Sequence, residues 1–223
     1  MAIRKPKMIL IDVDGTLVDT VPDLAFCINE MMAQLDMPRR GEAQVRLWVG
    51  NGTERLIKRA LTGCMNGEPD EDLYQRALPI FLDFYAQNIS KRSRLYDGVR
   101  EGLAGLRAAD MRLGAVTNKP ECFTLPLLKQ MRLLDYFEIV VSGDSLPRKK
   151  PDPLPLLHAA EVMSIAPAHA LMLGDSETDV IAARAAGFQI VCVSYGYNHG
   201  ENICDANPDA VIDSIAELLA RAA

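Results

Sequence analysis

A chain of 223 residues with 49% hydrophobic content is long enough to bury a sizeable core, as one large domain or two unequal ones. Its 24 basic against 30 acidic residues leave a net charge of −6, which works against a nucleic-acid backbone or an anionic membrane face as partner, so an anionic ligand must find local positive charge. Five scattered cysteines (Cys27, Cys64, Cys122, Cys192, Cys204), odd in number and without a CxxC pair, suggest neither a disulfide framework nor a zinc site and fit a reducing cytoplasm.

In chain order, the basic start MAIRKPK leads into an apolar run, Met8 to Val13, that Asp12 interrupts; it is too short for a signal peptide or a membrane span. Further apolar or β-branched runs lie at Leu113 to Thr117, Glu138 to Val141, Ala170 to Leu173 and Gln189 to Val193. Helical patterns alternate with them at Pro120 to Met131, Pro153 to Met163, Thr178 to Ala186 and Ile212 to Ala220, the last capped by Asp213 or a neighbour. Such alternation predicts an α/β fold with a parallel, doubly wound, Rossmann-like core sheet. Between the first run and the second lie about 100 residues, where a crossover needs roughly 10 to 30. Asp23 to Leu35, Gly52 to Leu61 and Glu71 to Asn88 read there as amphipathic helices. The expectation is an inserted small helical cap domain over 18–93, with the core built from 1–17 and 94–223.

The reactive residues fall in one place. Asp12 and Asp14 close the first strand, Thr117 and Asn118 the second, and Asp175 the fourth, so all project from the carboxyl edge of the sheet, where open α/β sheets bind ligands. Taken singly each has a bland reading, Asp14-Gly15 as a turn, Thr117 or Asp175 as a helix cap, Lys150 as a solvated loop charge. Their joint placement calls for a functional explanation.

Asp12, Asp14 and Asp175, with Asp179 one helical turn later, gather up to four carboxylates whose repulsion a cation must relieve. All-oxygen ligands favour a hard ion, and a site that also receives a phosphoryl group suits Mg²⁺. Lys150, after Lys149 and before Pro151, supplies a point charge for phosphate, and the Thr117 hydroxyl and nearby backbone amides can donate to its oxygens.

Asp12-Val13-Asp14-Gly15-Thr16, Thr117-Asn118-Lys119, Lys150-Pro151 and Gly174-Asp175-Ser176 with Asp179 resemble the four ordered motifs of the haloacid dehalogenase superfamily, across the whole chain. Within it, LVDTVPDLA at 17–25, WVGNG at 48–52, VTNKP at 116–120, KKPDPLPLL at 149–157 and YGYN at 195–198 are similar to the phosphoglycolate phosphatase family. Val13 departs from the usual Phe or Leu, without chemical consequence. The resemblance implies a phosphatase acting on a small phosphate ester, 2-phosphoglycolate foremost, through an aspartyl-phosphate on Asp12. It makes Asp14 the acid and base, and Asp14 is what separates phosphatases from dehalogenases. Mg²⁺ is then held by Asp12, the Asp14 backbone carbonyl and Asp175, with Asp179 supporting them, while Thr117, Asn118 and Lys150 hold the phosphoryl group. The resemblance implies that the inserted domain is a mobile lid that excludes water during transfer.

Other residues carry less. His158, His169 and His199 lack metal-ligand spacing and read as surface or packing residues, and Trp48, Met31 and Met32 as the lid's interior. Gly50-Asn51-Gly52, just before a helix, can expose backbone amides to an anion, although the same residues serve equally as a loop. Arg55, one turn into that helix, is the candidate cation for a substrate's far end, with Lys119 the next. Competing functions are a sugar-phosphate phosphatase or mutase, a pyrophosphatase and, from another class, a receiver-like phospho-aspartate signalling domain. The last fits badly, because receivers place the acceptor aspartate on the third strand and have no lid.

Overall fold

The structure, a computed structural model, describes residues 3–221. The chain runs β1 (Met8–Ile11), β2 (Val18–Asp19), α1 (Val21–Gln34), α2 (Glu42–Trp48), α3 (Thr53–Thr62), α4 (Glu71–Asn88), β3 (Arg94–Leu95), α5 (Val99–Ala108) and β4 (Arg112–Val116). It continues through α6 (Glu121–Gln130), β5 (Ile139–Val141), α7 (Leu154–Val162), β6 (Ala170–Gly174), α8 (Glu177–Ala186), β7 (Gln189–Val193), β8 (Ala210–Ile212) and α9 (Ala216–Arg221).

Six strands form one parallel sheet in the order β5-β4-β1-β6-β7-β8. β1 is wholly buried, as a strand covered on both faces must be, and its apolar run needs no alternation. The register sorts the core by face. Ile9 lies beside Leu113 and Leu171, and Ile11 beside Ala115 and Leu173, and these pack with α5, α6 and α9. Leu10 and Met172 face the opposite way, with α7 and α8. The fold is therefore the predicted α/β, Rossmann-like one, and the order reverses on the two sides of β1, the switch point at which such sheets leave a crevice.

The residues between β2 and β3 are helical. α1 packs on α4, burying Ile28, Met31 and Met32 against Phe81 and Tyr85, and Trp48 is buried with them, so these side chains are interior as expected. Asp70 caps α4 by accepting from the Leu73 amide, and Gly63 ends α3 in the left-handed region. The chain enters and leaves these helices through β2 and β3, which pair antiparallel, Val18 with Leu95 and Asp19 with Arg94. Buried Asp23, in the first turn of α1, accepts from the amides of Arg92 and Ser93 and from the Ser93 hydroxyl, tying the two crossings together.

One expectation at the carboxyl end needs correction. Ile212 to Ala220 is not one helix: Ala210–Ile212 is the sheet's edge strand and the helix begins at Ala216. The cap falls to the neighbour of Asp213, as the Ser214 hydroxyl accepts from the Ala216 amide at 3.4 Å, while the Asp213 carboxylate accepts from the Ser194 hydroxyl and its amide donates to Glu217.

Candidate active site

Asp12 and Asp14 follow the end of β1, Thr117 and Asn118 the end of β4, and Asp175 the end of β6, so parallel pairing alone brings them to one edge. The turn after β1 is tight. Gly15 has φ +88°, and a Cβ there would fall 2.2 Å from Asp175 Oδ2; at Gly196 a Cβ would fall 2.1 Å from the Asp175 Cβ. Asp175 is thus cradled between two backbones. Its Oδ1 accepts from the Thr16 hydroxyl at 3.0 Å and its Oδ2 from the Tyr197 amide at 2.6 Å.

Ser176 and Asp179 form the capping box of α8, and the Asp179 carboxylate serves two masters. Its Oδ2 accepts from the amides of Asp175 and Ser176 and from the Ser176 hydroxyl, while Oδ1 takes the Lys150 ammonium at 2.7 Å. Lys150 is 3% exposed and also donates to the Val116 carbonyl at 2.7 Å. Asp12 Oδ1 stands 3.0 Å from the same nitrogen but out of line for a hydrogen bond, so that buried oxygen has no hydrogen-bond donor.

Oxygens of Asp12, Asp175 and Asp179 lie within 4.8 Å of one another. Burial pushes the Asp12 carboxyl up to about 6, Lys150 opposing and Asp179 and Asp14 adding to the rise. Burial likewise raises Asp175 well above its ordinary value, helped by Asp179 and Asp12. These are carboxylates short of positive charge. An orphaned oxygen on Asp12 and an all-oxygen donor set fit a hard divalent cation, whereas Asp179, with both oxygens engaged, orients its neighbours.

The remaining predicted residues divide. Thr117 is buried and its hydroxyl oxygen accepts from the Lys119 amide at 3.3 Å, leaving its proton free to donate. Asn118 aims its side-chain amide at the carbonyls of Lys150 (2.9 Å) and Gly50 (3.2 Å), so it staples the Lys150 loop to the inserted helices. Lys119, buried, meets both Asp14 oxygens at 3.1 and 2.9 Å. Its burial would favour the neutral amine, but Asp14 and Tyr85 win and hold its pKa above the ordinary lysine value.

From the other side, Gly50, Gly52, Thr53, Leu24, Val49 and Leu56 close over Asp12, Asp14 and Lys119. The cleft they leave is partly open and holds only about 30 Å³, room for about two waters. Asn51 and Arg55 do not reach it. They line an outer groove with Glu54, Lys58 and Lys149, and Arg55 donates to Glu68 and to the Met65 carbonyl. The expectation that Arg55 faces the substrate is corrected by that pairing, which turns the guanidinium away.

Sequence reading missed the loop after β7. Tyr197 donates its hydroxyl to Asp19, which also takes a bidentate pair from Arg46 of α2, while His199 Nδ1 donates to the Leu47 carbonyl at 2.8 Å. The stretch YGYN was visible, but nothing in it signals a partner more than 170 residues away. Tyr85, buried in α4 against Phe123, escaped for the same reason.

Residues 9–193 match the family model of haloacid dehalogenase-like hydrolases, and the chain belongs to that family. It is 64% identical over 216 residues to a phosphoglycolate phosphatase from Nitrosococcus oceani, covering 97% of this chain and 96% of that one. A phosphoglycolate phosphatase from Nitrosospira multiformis is 51% identical, over 95% and 93% of the two chains. The crystal structure of a predicted phosphoglycolate phosphatase from Haemophilus somnus superposes with a TM-score of 0.92 at 35% identity, covering 98% of each chain. The chain is a phosphatase-type hydrolase similar to these enzymes. No helix among the described residues is long and apolar enough to cross a membrane.

Proposed function

We propose that the chain hydrolyses 2-phosphoglycolate to glycolate and inorganic phosphate in the cytoplasm, with residues 18–93 as the cap and 1–17 and 94–223 as the core. The observation that carries the chemistry is the Asp12 carboxylate lining the cleft, with one oxygen lacking a hydrogen-bond donor beside the Lys150 ammonium. The naming of the relatives supports phosphoglycolate in particular, and five unpaired cysteines accord with a reducing compartment.

In this reading an Asp12 oxygen attacks phosphorus, forming a carboxyl–phosphate bond as the ester P–O bond breaks, and Asp14 gives a proton to the leaving glycolate oxygen. Water then attacks the same phosphorus, Asp14 takes its proton, and the bond to Asp12 breaks to release inorganic phosphate. Lys150 and the Thr117 hydroxyl hold the phosphoryl oxygens in line, which is the positioning that a loose phosphoryl-transfer transition state needs. Mg²⁺ would be held by Asp12, Asp175 and the Asp14 backbone carbonyl and would supply charge to neutralise the phosphoryl oxygens. Asp179 acts by fixing Lys150 and the Asp175 backbone, and closure of the cap keeps bulk water away.

The test is phosphate release from a panel of small phosphate esters, with Mg²⁺ and with EDTA. The reading requires the highest kcat/KM on 2-phosphoglycolate and loss of turnover in EDTA. Preference for a sugar phosphate or for pyrophosphate, or turnover insensitive to EDTA, would overturn it.

A further inference from the structure

We infer that Lys119 is the group that recognises a carboxylate at the non-phosphate end of the substrate, and that it does so by exchanging its present partner, Asp14, for the substrate. The inference rests on the phosphatase reading of the site and names what that reading leaves open.

Among the residues lining the cavity Lys119 is the one cation, facing two carboxylates, the Gly50–Gly52 loop and the apolar walls. The other candidates are engaged or outside. Lys150 is held by Asp179 and Asp12 at the phosphoryl end, Arg55 is turned to Glu68 and Met65, and exposed Lys149 lies in the outer groove.

The setting of Lys119 is built, not incidental. Its carbonyl accepts from the Thr124 hydroxyl at 3.1 Å and the Gly143 amide at 2.8 Å, which fixes the backbone. Its ammonium lies 4.8 Å from the centre of the Tyr85 ring, presented by α4 from the cap side. Tyr85 is fully buried, so the aromatic ring shields this ammonium from bulk water on the cap side.

A buried ammonium must keep an anion beside it. When the phosphate end of 2-phosphoglycolate sits against Asp12 and Lys150, its carboxylate extends two carbons toward the cap, into competition with Asp14 for Lys119. One carboxylate replaces another, so the cation stays paired, and Asp14 is freed to turn to the leaving oxygen. An ester without a carboxylate leaves Lys119 on Asp14. Selection for acid-bearing esters thereby enters the chemical step as well as binding.

The experiment compares kcat/KM on 2-phosphoglycolate and on ethyl phosphate for the wild type, Lys119→Met and Lys119→Arg. Expected is a fall in the ratio of the two by roughly ten- to a hundredfold in Lys119→Met, the worth of one charge-assisted contact, with partial recovery in Lys119→Arg. Equal losses on both substrates would overturn the assignment and leave Lys119 as a prop for Asp14. A second measurement stands even if Lys119→Met does not fold: inhibition of wild-type ethyl phosphate turnover by glycolate and by neutral glycolamide. Glycolate at least tenfold the better inhibitor supports a carboxylate site, and equal inhibition sinks it. Glycolate selectivity with poor turnover of 2-phosphoglycolate would overturn that substrate while retaining the site for another acid-bearing ester.

Discussion

The Tyr197 amide donates to Asp175 Oδ2 at 2.6 Å, and the hydroxyl of the same tyrosine reaches Asp19 on β2, at the entrance to the inserted helices. The Thr20 amide donates to that hydroxyl at 2.9 Å, and Arg46 of α2 pairs with Asp19 through both guanidinium nitrogens. One residue thus touches a carboxylate of the acidic cluster and the contact that seats the cap. In Tyr197→Phe the backbone bond to Asp175 survives and the contact with Asp19 is lost. Hydrogen-exchange protection of the Thr20 amide should fall about tenfold, roughly 1.4 kcal/mol, while Mg²⁺ affinity by calorimetry changes little. Unchanged protection would detach Tyr197 from cap seating.

Asp12→Asn keeps the shape of the side chain and removes the nucleophile. Phosphate release should fall by more than roughly a thousandfold with the circular dichroism spectrum intact. A folded variant that retains a tenth of wild-type turnover would exclude covalent catalysis at this position.

Asp179→Ala strips Lys150 of its better-aligned partner and leaves the Asp175 and Ser176 amides without an acceptor. Breaking a buried pair in this way costs about 3–5 kcal/mol, and for a chain of this length that corresponds to a fall in Tm of roughly 6–20 °C. Thermal unfolding followed by circular dichroism measures it, and a fall below about 3 °C would mean that the network is not structural.

The acidic cluster gives the metal-free protein a pH dependence of definite sign. Burial chiefly raises Asp12 from 3.8 to about 6, so the folded state holds a proton there that the unfolded chain has released. The resulting stabilisation is complete below about pH 4 and is lost as pH rises through about 6, and Asp175 shifts in the same direction. A bound cation reverses the loss by pairing with the ionised forms. Millimolar Mg²⁺ should therefore raise Tm more at about pH 7.5 than at about pH 5. An equal rise at both would argue against these carboxylates as its ligands.

The sheet was legible because a parallel strand covered on both faces must be apolar along its buried length, as β1 and β6 are throughout and β4 and β7 are after their first residues, Arg112 and Gln189. The motif residues were legible because they end those strands. β2 and β3, two residues each, are too short for any periodicity, and β8 is three residues followed closely by a helix, which merged in the reading with that helix. Position 55 failed for a geometric reason. Leu56 faces the cavity, and on a helix the preceding residue points about 100° away. Its partner, Glu68, lies in a loop whose path no local pattern discloses.

Arg55→Ala should accordingly lower kcat/KM by less than about twofold on charged and neutral esters alike, since its partners, Glu68 and the Met65 carbonyl, lie outside the cavity. A selective loss on 2-phosphoglycolate would return Arg55 to the binding site and remove the need for Lys119 there.

The pairing of β2 with β3 places the two crossings of the backbone side by side, Asp19 against Arg94, at the roughly 5 Å spacing of neighbouring strands. Everything between them can be exchanged without rerouting the sheet, because the two cut ends already stand as close as the arms of a hairpin, and a turn of a few residues would join them at little closure entropy. The helices are in this sense an interchangeable fitting on a fixed socket. Grafting a different insert at Asp19 and Arg94 alters what covers the sheet edge, while Asp12, Thr117 and Asp175, just past the ends of β1, β4 and β6, and Lys150, in the loop before α7, belong to segments that the graft does not replace.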